Sequence, residues 1–183
     1  MRREIKILLL VEFLIAISLG ILGPYYAIYV EKISNNPSII GYSYAVFCFT
    51  VGVFSPIFGK ISDKNNRNLL IIIGGTLSFI ISIFYNIITL AYQILILEFL
   101  NGIATACFNP AYKSITADFT RKKKRGFEYG LLDSISYITY GMAALLATIL
   151  FSYFGVKALF IFSGAFHFAS SLILSRNLLL KTK

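Results

Sequence analysis

The chain has 183 residues, of which 57% are hydrophobic, a mean hydropathy of +0.77 and a formal charge of +9. A chain this apolar cannot build a water-facing surface, which excludes an ordinary soluble domain. The polar gaps are short and no GxxxxGK[ST] phosphate loop occurs, so an ATP-driven pump on this chain alone is excluded as well.

Six apolar stretches, 7–29, 38–58, 69–88, 91–112, 129–153 and 158–174, each come near the ~20 residues that cross ~30 Å of hydrocarbon as helix. The runs are continuous, where barrel strands would alternate and be about half as long. The expectation is an all-α polytopic membrane protein, one six-helix transmembrane domain over 1–183. Met1-Arg2-Arg3 ahead of 7–10 is like the start of a signal peptide, but the run continues past a normal h-region and is interrupted by Glu12, so a retained first helix is expected. Its outer half carries Gly20, Gly23 and Pro24. The fourth stretch carries Gly102 and Asn109-Pro110 at a similar depth and in the opposite direction. Gly/Pro-interrupted helices at matching positions of two inverted repeats point to a transport site, so Gly23, Pro24, Gly102 and Pro110 are read as helix breaks.

Charge orients the chain. Arg2, Arg3 and Lys6, then Lys60, Lys64 and Arg67, then Lys113 and 121–125, then Arg176, Lys181 and Lys183 place 15 of the 17 basic residues in alternate gaps. Lys32 and Lys157 face the other side. By the positive-inside bias both termini are expected in the cytoplasm of a cell-membrane protein. Topology and anionic lipid head groups account for the cations, so no nucleic-acid partner is expected. Cys48 and Cys107 fall inside spans without a His or carboxylate cluster and read as reduced packing residues, with no metal and no cofactor implied.

Between the second and third spans the chain reads Gly59-Lys60-Ile61-Ser62-Asp63-Lys64-Asn65-Asn66-Arg67-Asn68. This resembles the G-x-L-x-D-[RK]-x-G-[RK]-[RK] loop of the major facilitator superfamily, matching at Gly59, Ile61 (for Leu), Asp63, Lys64 and Arg67. Asn66 stands where that pattern has Gly, and Asn also tolerates a left-handed turn. Leu97-Glu98-Phe99 through Gly102 is similar to the family's R-F-x-x-G pattern with Glu98 in place of Arg. Asn109-Pro110-Ala111, Thr116-Ala117-Asp118 and Arg125-Gly126 are similar to the exit from that helix. The proline of the family's antiporter pattern is missing at Gly141-Met142. The resemblance implies a secondary transporter of a small molecule, working by alternating access, with helices one, two, four and five around its cavity. It implies a cytoplasmic latch of Asp63, Arg67 and Asp118. It covers only the N-terminal half of a usual member, so a second six-helix half is expected, as a homodimer or a separate chain. The alternative is a non-transporting membrane assembly protein or a truncated remnant.

Ionisable side chains inside spans cost on the order of 3 kcal/mol each on insertion scales and need a reason. Glu98, deepest in its helix and with no basic residue within a turn, is expected to face the cavity and carry a proton, a cation or a positive substrate group. Glu12, nearer a helix end, divides evenly between structural and coupling roles. Asp133 is expected to pair at the rim with 121–125, and His167 to be a hydrogen-bonded histidine packed between helices. No enzyme is expected: the G-x-S-G of a six-helix intramembrane protease is absent, Ser163-Gly164 following Ile161-Phe162.

Overall fold

The computed structural model describes residues 3–179, so Arg2, Lys181 and Lys183 lie outside the described residues. Five helical elements follow one another: α1 (Arg3–Ser34), α2 (Ser38–Ile61), α3 (Arg67–Phe84), α4 (Ala91–Phe119) and α5 (Arg125–Leu179). Each is long and apolar enough to cross a membrane, as it must be where lipid offers backbone groups no partner.

α5 is folded back on itself. Gly155 (φ 72°, ψ 175°) is its one non-helical residue among those described, a conformation glycine adopts without a Cβ penalty. On the arm 125–154, Ser136 meets Glu12 and Phe151 stacks on Tyr25, so this arm runs parallel to α1. On the arm 156–179, Phe160 packs on Tyr29 and Leu174 joins Leu8, so this arm runs antiparallel to it. The described residues therefore form six helical runs, the last two joined by a single glycine.

The packing has an internal symmetry. α1, first of the first three runs, lies against both arms of α5, while α4, first of the second three, lies against α2 and α3. Each leading helix is clasped by the trailing pair of the other triplet, the arrangement that two inverted repeats produce. Two apolar clusters fix the ends of the bundle. Ile5, Leu8, Ile71, Phe108, Ile115 and Leu174 close the end that carries the basic residues. Tyr29, Ile81, Tyr85, Ile94 and Phe160 close the other, where Lys157 Nζ also caps α3 at the Asn86 carbonyl, 2.8 Å away.

α3 and the second arm approach closely where glycine on one meets serine on the other. A Cβ at Gly75 would collide with Ser171, and one at Gly164 with Ser82. Such small-on-small seams supply the van der Waals contact that holds membrane helices together. The expected helix breaks do not occur, since α1 runs unbroken through Pro24 and α4 through Pro110. Each proline removes one backbone hydrogen bond, a loss membrane helices tolerate. The glycines serve close approach instead: a Cβ at Gly102 would lie 2.6 Å from Thr50 Cβ of α2, and Gly23 faces the Tyr140 ring. The 62–66 segment is likewise not a left-handed turn but a π-helical turn continuing α2 into α3.

Candidate functional site

α1 and α4 touch little along their length, and the space between them is a cleft of about 510 Å³. Glu12, Ser18, Leu19 and Leu22 form one wall; Asn101, Thr105, Asn109, Tyr112 and Lys113 form the other. α3 and the second arm of α5 form the floor with Ser82, Tyr85, Ser163 and His167, and Phe47 of α2 stands at the lip. Helices one and four line this space as expected. The first arm of α5 contributes nothing among the described residues, because it packs behind α1.

Glu12 is the carboxylate in the cleft. Tyr112 of α4 donates its hydroxyl to Oε2 and Ser136 of the first arm donates to Oε1. Among the described residues no cation lies within 4 Å of it. Hydrogen bonds to a charged acceptor are worth about 1.5–3 kcal/mol each, so two hydroxyls hold the group in place and leave its charge uncompensated. Across the floor, Ser18 and Ser163 share a hydrogen bond of 3.0 Å.

Glu98 differs from expectation in position. It is buried and does not line the cleft; Tyr85 and Asn101, which do, stand between it and the open space. Nor is it without a partner, since the Tyr85 hydroxyl donates to Oε1 at 2.6 Å. The Tyr26 hydroxyl is buried beside Glu98 and Ser43 and closes no hydrogen bond among the described residues. His167 also departs from expectation. It packs on Phe108, ring centroids 4.8 Å apart, with a buried Nδ1 that has no partner among the described residues.

At the basic end, Arg67 at the start of α3 is paired with Asp118 at the end of α4, as expected. Asp63 does not join them: it is exposed and makes no hydrogen bond or ion pair among the described residues, as is also true of Lys64. Gly59 faces Pro110, a Cβ there lying 3.9 Å from the proline ring. Asp133 is exposed and unpaired among the described residues. The 121–125 run finds its carboxylate in Glu128 instead, whose oxygens accept from the Arg121 amide at 2.7 Å and Nε at 2.6 Å. Glu128 lies in the first turn of α5 and folds directly back on the connection, whereas Asp133 is more than a turn further along.

The Major Facilitator Superfamily profile matches residues 8–182, nearly the whole chain. The chain belongs to this superfamily. Its relatives within the Major Facilitator Superfamily include the MFS-type transporter YitZ of Bacillus subtilis, 22% identical over 86% of this chain and 96% of that protein. The quinolone resistance protein NorA of Staphylococcus aureus is 25% identical over 74% of this chain and 35% of its own length. The multi-drug resistance efflux pump PmrA of Streptococcus pneumoniae is 24% identical over 88% of this chain and 41% of its own. The chain thus spans under half of NorA and of PmrA and nearly all of YitZ. It is a membrane protein of a transporter superfamily, a class that is generally not enzymatic.

Reading the sequence missed Tyr112, Ser136 and Tyr85, the hydroxyls that hold the carboxylates. One signal was available: Glu98, Asn101, Thr105, Asn109 and Lys113 recur every three to four residues on an otherwise apolar helix, a polar stripe on one face.

Proposed function

We propose that this chain is one six-helix half of a secondary transporter, moving a small molecule across the cell membrane by alternating access. The observation that carries the reading is Glu12, a carboxylate held by hydroxyls alone in a polar cleft within an apolar bundle. An ionisable group so placed marks a substrate or proton path. Glu98, one layer behind and linked to the cleft through Tyr85, is a second proton-bearing group. The Arg67–Asp118 pair biases one end of the bundle toward closure; its side chains are 35% and 63% exposed, so it is worth about 0–1 kcal/mol and can break in each cycle. Both termini lie in the cytoplasm, in line with the distribution of basic residues. A second six-helix unit, a copy of this chain or a separate one, completes the path. The names of NorA and PmrA favour outward movement of drug-like molecules.

The test is flux of a fluorescent quinolone into reconstituted vesicles under an imposed pH gradient. Glu12→Gln should lower the initial rate by about tenfold, equivalent to 1.4 kcal/mol, at unchanged membrane insertion. Wild-type flux equal to that of empty vesicles would remove the transport reading for this substrate class, and unchanged flux in Glu12→Gln would remove the role of Glu12.

A further inference from the structure

A second concave site lies at the basic end, apart from the cleft. α4 ends at Thr120, extended (φ −81°, ψ 146°), Arg121 is also extended (φ −82°, ψ 129°), and Lys122–Lys124 form one tight helical turn before α5 begins. Five consecutive cations share this turn, and the structure uses them unequally. Arg125 is engaged on the end of α4, its NH2 donating to the Ala117 carbonyl at 2.8 Å and its Nε to Thr120 Oγ1 at 3.3 Å. Arg121 is tethered by the buried Glu128. Lys122, Lys123 and Lys124 are exposed, and their side chains make no hydrogen bond or ion pair among the described residues.

Arg121, Lys123, Lys124, Gly126 and Phe127 line an open groove of about 570 Å³. Its floor is accessible backbone, since a Cβ at Gly126 would meet nothing within 4 Å. Phe127 at its edge is 72% exposed, an aromatic ring left beside ammonium groups at the end of a membrane-spanning arm. The end of such an arm is the level at which lipid head groups meet acyl chains. The first turn of α5 adds partial positive charge to the same place.

We propose that this groove binds the head group of an anionic membrane lipid, its phosphodiester between Lys123, Lys124 and Arg121 and its acyl chain along Phe127. A free phosphate would satisfy the cations but give the ring no role; the pairing of cations with an exposed aromatic at the membrane boundary favours the lipid. Basic pockets between membrane helices recognise lipid phosphates by this chemistry.

The chain contains no tryptophan, so Phe127→Trp provides a single reporter on the groove. The full chain is placed in phosphatidylcholine vesicles containing, at equal mole fraction, either phosphatidylglycerol or phosphatidylcholine with brominated acyl chains. Brominated phosphatidylglycerol should quench Trp emission on the order of twofold more strongly. That preference should vanish in Lys123→Gln/Lys124→Gln, persist in Lys60→Gln/Lys64→Gln at the same end of the bundle, and withstand added inorganic phosphate. Equal quenching by the two lipids overturns the site, and this comparison needs no lysine variant to fold. Loss of preference in both lysine pairs alike reduces the effect to general surface charge and also overturns it. Erasure by inorganic phosphate would make the groove a free-anion site and end the lipid assignment.

Discussion

At the scale of single residues, the two carboxylates in the bundle are held by hydroxyl groups rather than by cations, and the consequence can be measured. Tyr85→Phe removes the donor to Glu98 and strands a buried carboxyl oxygen, which should cost about 1–3 kcal/mol. Glu98→Leu in the same background removes the stranded group, so the double variant should be more stable than Tyr85→Phe alone. Thermal unfolding in detergent checks the order; a double variant no better than the single would mean that water already serves Glu98. The logic reflects the asymmetry between making a buried hydrogen bond and breaking one. Replacing both partners is cheap, whereas stranding one is not.

At the scale of helices, close approach is confined to some of the glycines, and others in the same bundle do not share their role. Gly102 stands against Thr50 of α2, whereas Gly141 on the first arm has nothing within 4 Å. Gly102→Ala should therefore destabilise by about 1–3 kcal/mol through overpacking, while Gly141→Ala should be neutral or stabilising through helix propensity. Paired melting curves decide it, and equal effects would place the α2–α4 contact elsewhere. The helices themselves were legible in the sequence because hydropathy is a local property that lipid enforces residue by residue. The site was legible only along single helices. The polar stripe on α4 lies open in the sequence, but Tyr112 and Ser136 meet Glu12 from 100 and 124 residues away, and no periodicity encodes that. Asp63 matched a family pattern by letter, yet its side chain is exposed and unpaired among the described residues, because the π-helical turn at 62–66 continues the helix where a turn was expected. Asp133 was assigned the basic run on proximity, and Glu128 took that place because it lies in the first turn beyond it.

At the scale of the whole molecule, the charge distribution predicts how the bundle sits. With Cys48 and Cys107 replaced, single cysteines at 64 and 123 should resist a membrane-impermeant thiol reagent in intact cells, and one at 36 should react; the reverse pattern would invert the topology. The floor of the cleft carries a further consequence. Gly75 against Ser171 and Gly164 against Ser82 form a seam in which small serine side chains fill the space left by glycine, and the walls formed by α1 and α4 rise from it like covers from the spine of a book. A spine packed this closely leaves little slack at the floor of the cleft. A methyl group at Gly164 would run into Ser82 and thicken that spine. The single hydrogen atom that Gly164 carries in place of a side chain thereby sets how closely the two helices of the floor can approach.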